Sequence, residues 1–402
     1  TNNLTQPTNL HYHGLHVTPT GNADNPFLEI SPGESLTYKF TIPKNHRSGT
    51  YWYHPHHHGF VAEQVFGGLA GLFIVRGELD EIPEIQVAKE EFLVLQDFGI
   101  DGSGRIQSPN HMATMMGREG QILTVNGQVK PILSVASGGL LRLRLLNASP
   151  SRFYRLSLEN HPFYLIATDG GALGKPVERE ELLLAPGERA EVLVRGEREP
   201  KQYRLLNLPY DRGGMGMMDG GMMGGGMGMM GSGQMMRSSQ STPQVLATFT
   251  YQGSVSTLPL PPKLIPVETL PEPKTVRRLE LSMAMAPGMG IAFTFNGKAF
   301  DPERVNTQVR LNTVEDWELV NVDPDRMDHP FHLHVNPFQV ISRNGKPEPE
   351  RAWKDTVLVR GGETVRIRVP FRDFLGKTVY HCHILDHEDL GMMGVLNIQA
   401  PT

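Results

Sequence analysis

Ten of the sixteen histidines in this chain fall into four tight groups: His11-Tyr12-His13, His54-Pro55-His56, His329-Pro330-Phe331-His332-Leu333-His334, and His381-Cys382-His383 with His387. Side chains at i and i+2 of a β-strand point to one face, so each His-x-His pair offers two imidazoles toward a common point. Burying ten imidazoles with nothing to bind would leave many polar nitrogens unsatisfied. The pattern therefore calls for a metal centre carried on strands.

The two histidines outside the pairs, His329 and His387, join Cys382 in a set of two imidazoles and one thiolate. Met392, ten residues after the cysteine, adds a weak axial thioether. That donor set suits a blue-copper, electron-transfer ion. Zinc is the competing metal, but one cysteine with ten clustered histidines and an offset methionine fits copper better than a four-coordinate zinc site. Iron would need a carboxylate, and Asp386 and Glu388 are surplus to a spacing already complete. Within His381-Cys382-His383 the cysteine faces one side of the strand and the histidines the other, so one tripeptide bridges two metal sites. His329 against His332 and His334 repeats this linkage.

The isolated His16, His46, His111 and His161 read as structural. His57 and His58 extend the run at 54 to 56; spacing favours His54 and His56 as ligands and leaves the other two as supporting or exposed residues.

Short apolar or alternating runs separated by turn signals recur, among them Ser35 to Ile42, Leu140 to Leu146, Leu156 to Leu158, Ala190 to Val194, Val309 to Leu311 and Val365 to Val369. With 43 glycines and 31 prolines, this predicts an all-β chain of sandwiches or barrels with brief helices. At 402 residues the length suits two or three domains. A Met/Gly-rich insert at 213–236 and a Pro-rich strap at 253–274 punctuate the chain. The resulting blocks are 1–82, 83–252 and 275–402. A turn-then-strand pattern recurs once in each, at Ile30-Ser31-Pro32-Gly33-Glu34, Leu184-Ala185-Pro186-Gly187-Glu188 and Val359-Arg360-Gly361-Gly362-Glu363, so three related β-domains are expected.

A net charge of -5 without a Lys/Arg stripe gives no footprint for nucleic acid. No apolar run approaches the roughly 20 residues of a membrane span. The single cysteine excludes an intrachain disulfide and says nothing of compartment.

The four histidine motifs, with Leu145-Leu146-Asn147-Ala148, Asp169-Gly170-Gly171, Phe295-Asn296-Gly297 and Trp317-Glu318-Leu319-Val320-Asn321, make the chain resemble the multicopper oxidases, nearest to their bacterial laccase and cuprous-oxidase branch. The resemblance implies three cupredoxin-like Greek-key β-barrels and four copper ions. His329, Cys382, His387 and Met392 would hold a type 1 copper that takes single electrons from the reductant. His11 and His332 would hold a type 2 copper. His13, His54, His56, His334, His381 and His383 would hold a type 3 pair, and together these three ions would reduce dioxygen to water. Asp24 and Glu388 match family carboxylates that relay protons. Only ten residues precede His11, so the first barrel is expected to lack its N-terminal strands; a longer precursor and a periplasmic or secreted location follow from the resemblance alone.

The reductant is either a phenolic or aromatic donor or Cu(I). Soft thioethers prefer Cu(I), which makes Met215, Met217, Met218, Met222, Met223, Met227, Met229 and Met230 of the insert candidate substrate ligands. A non-catalytic copper-binding or cupredoxin-like scaffold protein is the alternative, and it predicts missing ligands.

Overall fold

A computed structural model of the protein describes residues 1–213, 242–286 and 290–401. The eight candidate methionines of the insert lie outside the described residues.

The expected all-β cupredoxin-type architecture is present. Residues 89–254 form a five-stranded and a six-stranded sheet, and residues 275–399 a seven-stranded and a five-stranded sheet. Both pairs share one topological signature, a parallel ladder amid antiparallel ones: Lys89–Phe98 runs parallel to Leu140–Asn147, and Thr275–Ala286 parallel to Thr313–Asn321. Each pair of sheets encloses one apolar core. One is built on Leu143, Tyr154, Phe163, Val192 and Phe249, the other on Trp317, Phe331, Ile367 and Tyr380 with Cys382 and Met392 in its wall. Every described helix is brief, the α-helices Val61–Phe66, Pro83–Gln86, His111–Met116 and Leu385–Asp389.

The first block departs from the pattern. Its one regular sheet is the hairpin-like pair Gly49–Tyr53 and Gly71–Val75. The alternating run from Ser35 to Ile42 keeps the exposed and half-buried alternation of a strand but forms no ladder; the Lys39 N–H donates instead to the Asn22 carbonyl. Alternation supplies a face, while a strand also needs a neighbour for its backbone groups.

The three repeated turns are the same object in space. Gly33, Gly187 and Gly362 take φ of +84°, +83° and +80°, a region open to glycine at little cost. In each, the following glutamate N–H donates three residues back, to Ser31, Ala185 and Arg360. The same glutamate's carboxylate accepts from the N–H of that residue.

Candidate metal centre

Two sites are built on one pair of strands. His329–Leu333 pairs antiparallel with Gly376–Cys382, setting Phe331 opposite Cys382 and His332 opposite His381. Alternation along these two strands therefore sends His329 and Cys382 to one centre and His332 and His381 to another.

At the first centre Cys382 Sγ lies 3.6 Å from His329 Nδ1 and 3.9 Å from His387 Nδ1. The far nitrogens are engaged: His329 Nε2 with Asp323 Oδ2 at 3.0 Å, and His387 Nε2 with the Met115 carbonyl at 3.0 Å. Each Nε2 carries the proton in those bonds, so each Nδ1 presents a lone pair toward the sulfur. Burial pushes the Cys382 thiol up, outweighing the Ile384 N–H that donates to Sγ at 3.4 Å. Met392 is wholly buried beside it, and its carbonyl accepts from Cys382 N.

The second centre gathers eight imidazoles, each at most 1% exposed. Ring nitrogens face one another across short gaps: His11 Nε2 to His332 Nε2 at 3.3 Å, and His381 Nε2 to both His56 Nε2 and His334 Nε2 at 3.1 Å. Again the outer nitrogens are tied down. His11 Nδ1 bonds Asp24 Oδ1, His332 Nδ1 the Asp355 carbonyl, His54 Nδ1 the Pro55 carbonyl and His381 Nδ1 the Cys382 carbonyl. The facing nitrogens of His11, His332 and His381 are thus lone pairs aimed at each other in a dry interior. Burial holds all eight imidazoles below their ordinary pKa, so protonation does not relieve the contact. A cation between them does, and the donor set fits copper at both centres.

His13 is turned the other way. Its Nε2 bonds Asp355 Oδ1 at 2.9 Å, and Nδ1 is buried with no partner. Its ring lies 4.9 Å from that of His383, whose nitrogens are both unpartnered, and 5.7 Å from that of His54. His56, His334 and His381 bring three ligand atoms together, as do His11, His13 and His54, and the rings of His13 and His54 lie 4.9 and 5.5 Å from that of His383.

The helix Leu385–Asp389 ties the centres to the rest of the fold, one side chain at a time. Asp386 receives Arg118 Nη2 at 2.7 Å, and Asp389 accepts from the N–H groups of Gly59 and Ala62. His387 goes to the cysteine. Glu388 is fully buried, with Oε2 2.9 Å from His381 Nδ1 and Oε1 3.4 Å from His56 Nε2, yet neither oxygen makes a hydrogen bond. Burial raises its carboxyl to about 7. Asp24 is pushed up to about 8 by burial; Oδ1 takes the His11 contact and the Tyr12 N–H, and Oδ2 has no partner.

His57 is half-buried against Glu29 and His58 against Phe300. His46 accepts from the His16 N–H, and His161 bonds Tyr251. His16 has more to do than fill space: its Nδ1 donates at 2.7 Å to the carbonyl of Val335, a β-branched residue held at φ +66° directly after His334.

Several supporting residues escaped the sequence reading. Asp323 lies six residues before His329 among other polar residues, Asn321, Asp325, Arg326 and Asp328, and Asp355 follows Lys354 at the opening of the apolar strand Thr356–Val359, so neither stands out by its neighbours. Gly187 is legible only as a turn glycine and Arg189 carries no mark, because the His383 ring and the Asp355 carboxylate they meet come from another block.

Sequence profiles of the multicopper oxidases match residues 1–80, 92–221 and 271–401. The chain is 32% identical to the multicopper oxidase mco of Staphylococcus haemolyticus over 99% of its own length and 78% of that protein. It is 30% identical to the cell division protein FtsP of Photorhabdus laumondii, over 98% of this chain and 79% of that one. Among solved structures, the multicopper oxidase of Campylobacter jejuni, described as a metallo-oxidase, superposes with a TM-score of 0.84 at 34% identity, covering 100% of this chain and 82% of that one. A thiolate-imidazole centre and a buried imidazole cluster sharing two strands, inside a fold matched along its whole length, place this chain in the multicopper oxidase family, as a copper-dependent oxidoreductase.

Proposed function

We propose that the chain couples one-electron oxidation of a reductant to the reduction of dioxygen to water. One copper would be held by His329, Cys382, His387 and Met392, one by His11 and His332, and a pair by the triads His13/His54/His383 and His56/His334/His381. Copper bound there supplies one-electron exchange at the cysteine and oxygen reduction at the histidines. The observation that carries the reading is the shared strand pair: Cys382 lies between His381 and His383, and the Cys382 carbonyl accepts from His381 Nδ1 at 2.9 Å. The residues joining the centres are therefore covalent neighbours plus one hydrogen bond. The protein's own work is to bury the imidazoles, fix their tautomers from behind, and hold Asp24 and Glu388 where a proton can be passed to the cluster.

For the donor, Cu(I) is favoured over a phenol. Arg212 O accepts from Asp328 N at 2.8 Å, and Gly213 packs against the Arg326 carbonyl. The Met-rich insert thus leaves the fold within a few residues of His329, and the Campylobacter relative is described as a metallo-oxidase. The FtsP relative keeps the scaffold reading in view, but that reading predicts missing ligands and all twelve are present. A periplasmic or secreted location comes with the family resemblance; no helix among the described residues is long and apolar enough to cross a membrane.

The test is Cys382→Ser. The parent should be blue and consume oxygen with Cu(I); the variant should lose the blue colour and turnover while keeping the copper of the histidine cluster. A copper-loaded parent that consumes no oxygen with either donor class would refute the proposal.

A further inference from the structure

Two left-handed turns of the third block meet one imidazole of the first. Val335, directly after His334, sits at φ +66°, and the Asn336 N–H donates across it to the His334 carbonyl at 2.7 Å. Asp373, in the link between Thr364–Phe371 and Gly376–Cys382, sits at φ +67°, and the Phe374 N–H donates across it to the Arg372 carbonyl at 2.8 Å. Three-residue turns with a positive φ at the centre are rare and strained. A β-branched centre makes the turn at Val335 the more costly of the two. Such backbone persists only where its surroundings over-determine it.

His16 is what the two turns share. Its Nδ1 donates to the Val335 carbonyl at 2.7 Å, its Nε2 lies 2.8 Å from Asp373 Oδ2, and its ring stands 4.9 Å from that of Phe374. Carbonyl and carboxylate only accept, so the ring serves both with a hydrogen on each nitrogen. His16 follows His13 by three residues and sits between the fully buried Leu15 and Val17. Both turns adjoin cluster residues: one comes directly after His334, and the other leads into the strand that carries His381. His334 Nε2 lies 3.1 Å from His381 Nε2.

We propose that His16 is a positioning residue that latches the turn at Val335 to the first block and thereby sets where His334 stands relative to His56 and His381. The inference rests on the reading that these three histidines hold copper. The Val335 carbonyl is the working contact; Asp373, whose side chain is 50% exposed, keeps the ring turned toward it.

The test compares two amides. An asparagine amide nitrogen stands close to the place of Nδ1 and a glutamine amide nitrogen close to that of Nε2, so His16→Asn retains the bond to Val335 and His16→Gln only the one to Asp373. The His16 N–H, which donates to His46, is untouched by either change. In copper-free protein, hydrogen exchange at the Asn336 N–H should be several-fold faster in His16→Gln and near the parent rate in His16→Asn. After copper loading, the coupled-pair signature and kcat should fall several-fold in His16→Gln, with the blue band and the KM of the donor unchanged. His16→Asn should restore both. Val335→Gly supplies a second arm: glycine takes that φ at little cost, so His16→Gln made in that background should lose less than it does alone. An unchanged exchange rate or coupled-pair signature in His16→Gln, equal losses in the two His16 variants, an undiminished loss in the Val335→Gly background, or a blue band that fades in step with the pair would each overturn the proposal. A parent in which the exchange rates behave as expected but no copper binds at His56, His334 and His381 would instead refute the copper reading itself.

Discussion

Arg189 and Asp355 form a bidentate ion pair, Nη1 to Oδ1 at 2.6 Å and Nη2 to Oδ2 at 2.5 Å, with side chains at most 2% exposed. Arg189 comes from the middle block, Asp355 from the third, and Oδ1 also accepts from His13 Nε2 of the first. Gly14, next to His13, has φ +86°, and a Cβ there would stand 2.4 Å from Arg189 Nη2. The glycine of His-Tyr-His-Gly is thus explained by a guanidinium it packs against. The middle block supplies none of the proposed ligands, yet through Arg189 it sets the tautomer of one.

Arg189→Gln strands Asp355 in the interior. Breaking a buried pair costs about 3–5 kcal/mol, so the copper-free protein should unfold at markedly lower denaturant, and the coupled copper pair should fill incompletely. Arg189→Lys should rescue little, because a point ammonium does not reproduce a two-pronged fork. Full copper content and parent stability in either variant would show the pair to be dispensable.

Gly187 offers a sharper comparison, because the fold contains its own control. A Cβ on Gly187 would lie 2.8 Å from His383 Cδ2, whereas one on Gly33, at the same turn and nearly the same φ, meets nothing within 4 Å. Both alanine variants carry the backbone cost of a left-handed residue, about 1–2 kcal/mol. Only Gly187→Ala should also perturb the His13/His54/His383 triad. The expected result is a coupled-pair signature lost or weakened in Gly187→Ala and intact in Gly33→Ala, with the blue band present in both. Equal spectra in the two variants would refute the packing argument.

These two residues show where sequence stops being informative. Period-two spacing announces His332 and His334 as partners because both lie in one short segment, and the repeated turn is legible because glycine and glutamate recur at fixed offsets. The run from Ser35 to Ile42 was equally regular and still forms no ladder, since pairing depends on a neighbour that alternation does not encode. The Arg189–Asp355 pair, the His13–Asp355 bond and the packing of Gly187 on His383 all join residues more than a hundred positions apart. The grouping of His56 with His334 and His381 has the same origin: it depends on which rings the strand crossing brings together.

Asp24→Asn should slow oxygen reduction by roughly 10²-fold, the lower end of what a positioned proton donor contributes, while leaving the blue band unchanged. The carboxylate has one oxygen committed to His11 and Tyr12 and the other buried and free, which is the arrangement of a residue that both orients a ligand and can hand on a proton. Oxygen uptake under saturating donor reads this step, and turnover equal to the parent's would sink it.

His46 gives a pH prediction away from the copper. Burial lowers it from 6.5 to about 4 while its Nε2 accepts from the His16 N–H. The unfolded chain therefore binds a proton the folded one refuses, and stability falls as pH drops from 6.5 toward 4. At about 1.4 kcal/mol per unit the loss approaches roughly 3 kcal/mol. His46→Gln keeps an acceptor and removes the titration, so the parent should lose more stability than the variant between about pH 7 and pH 4.5. Parallel denaturation curves at the two pH values would contradict the assignment.

The donor question turns on where the Met-rich insert leaves the fold. Arg212 and Gly213 are integral to the wall of the Cys382 centre: one accepts from Asp328 N, and the other, at φ +76°, would place a Cβ 2.2 Å from the Arg326 carbonyl. A deletion starting at Gly213 would therefore disturb His329 itself and confuse two effects. Removing residues 214–236 and keeping Gly213 separates them. If the insert delivers Cu(I), that deletion should cut the rate with Cu(I) and leave or raise the rate with a bulky phenol, because the thioethers are gone while the His329 wall stands. Equal loss with both donors would mean that the insert shapes the centre rather than feeding it, and the phenol reading would then take precedence.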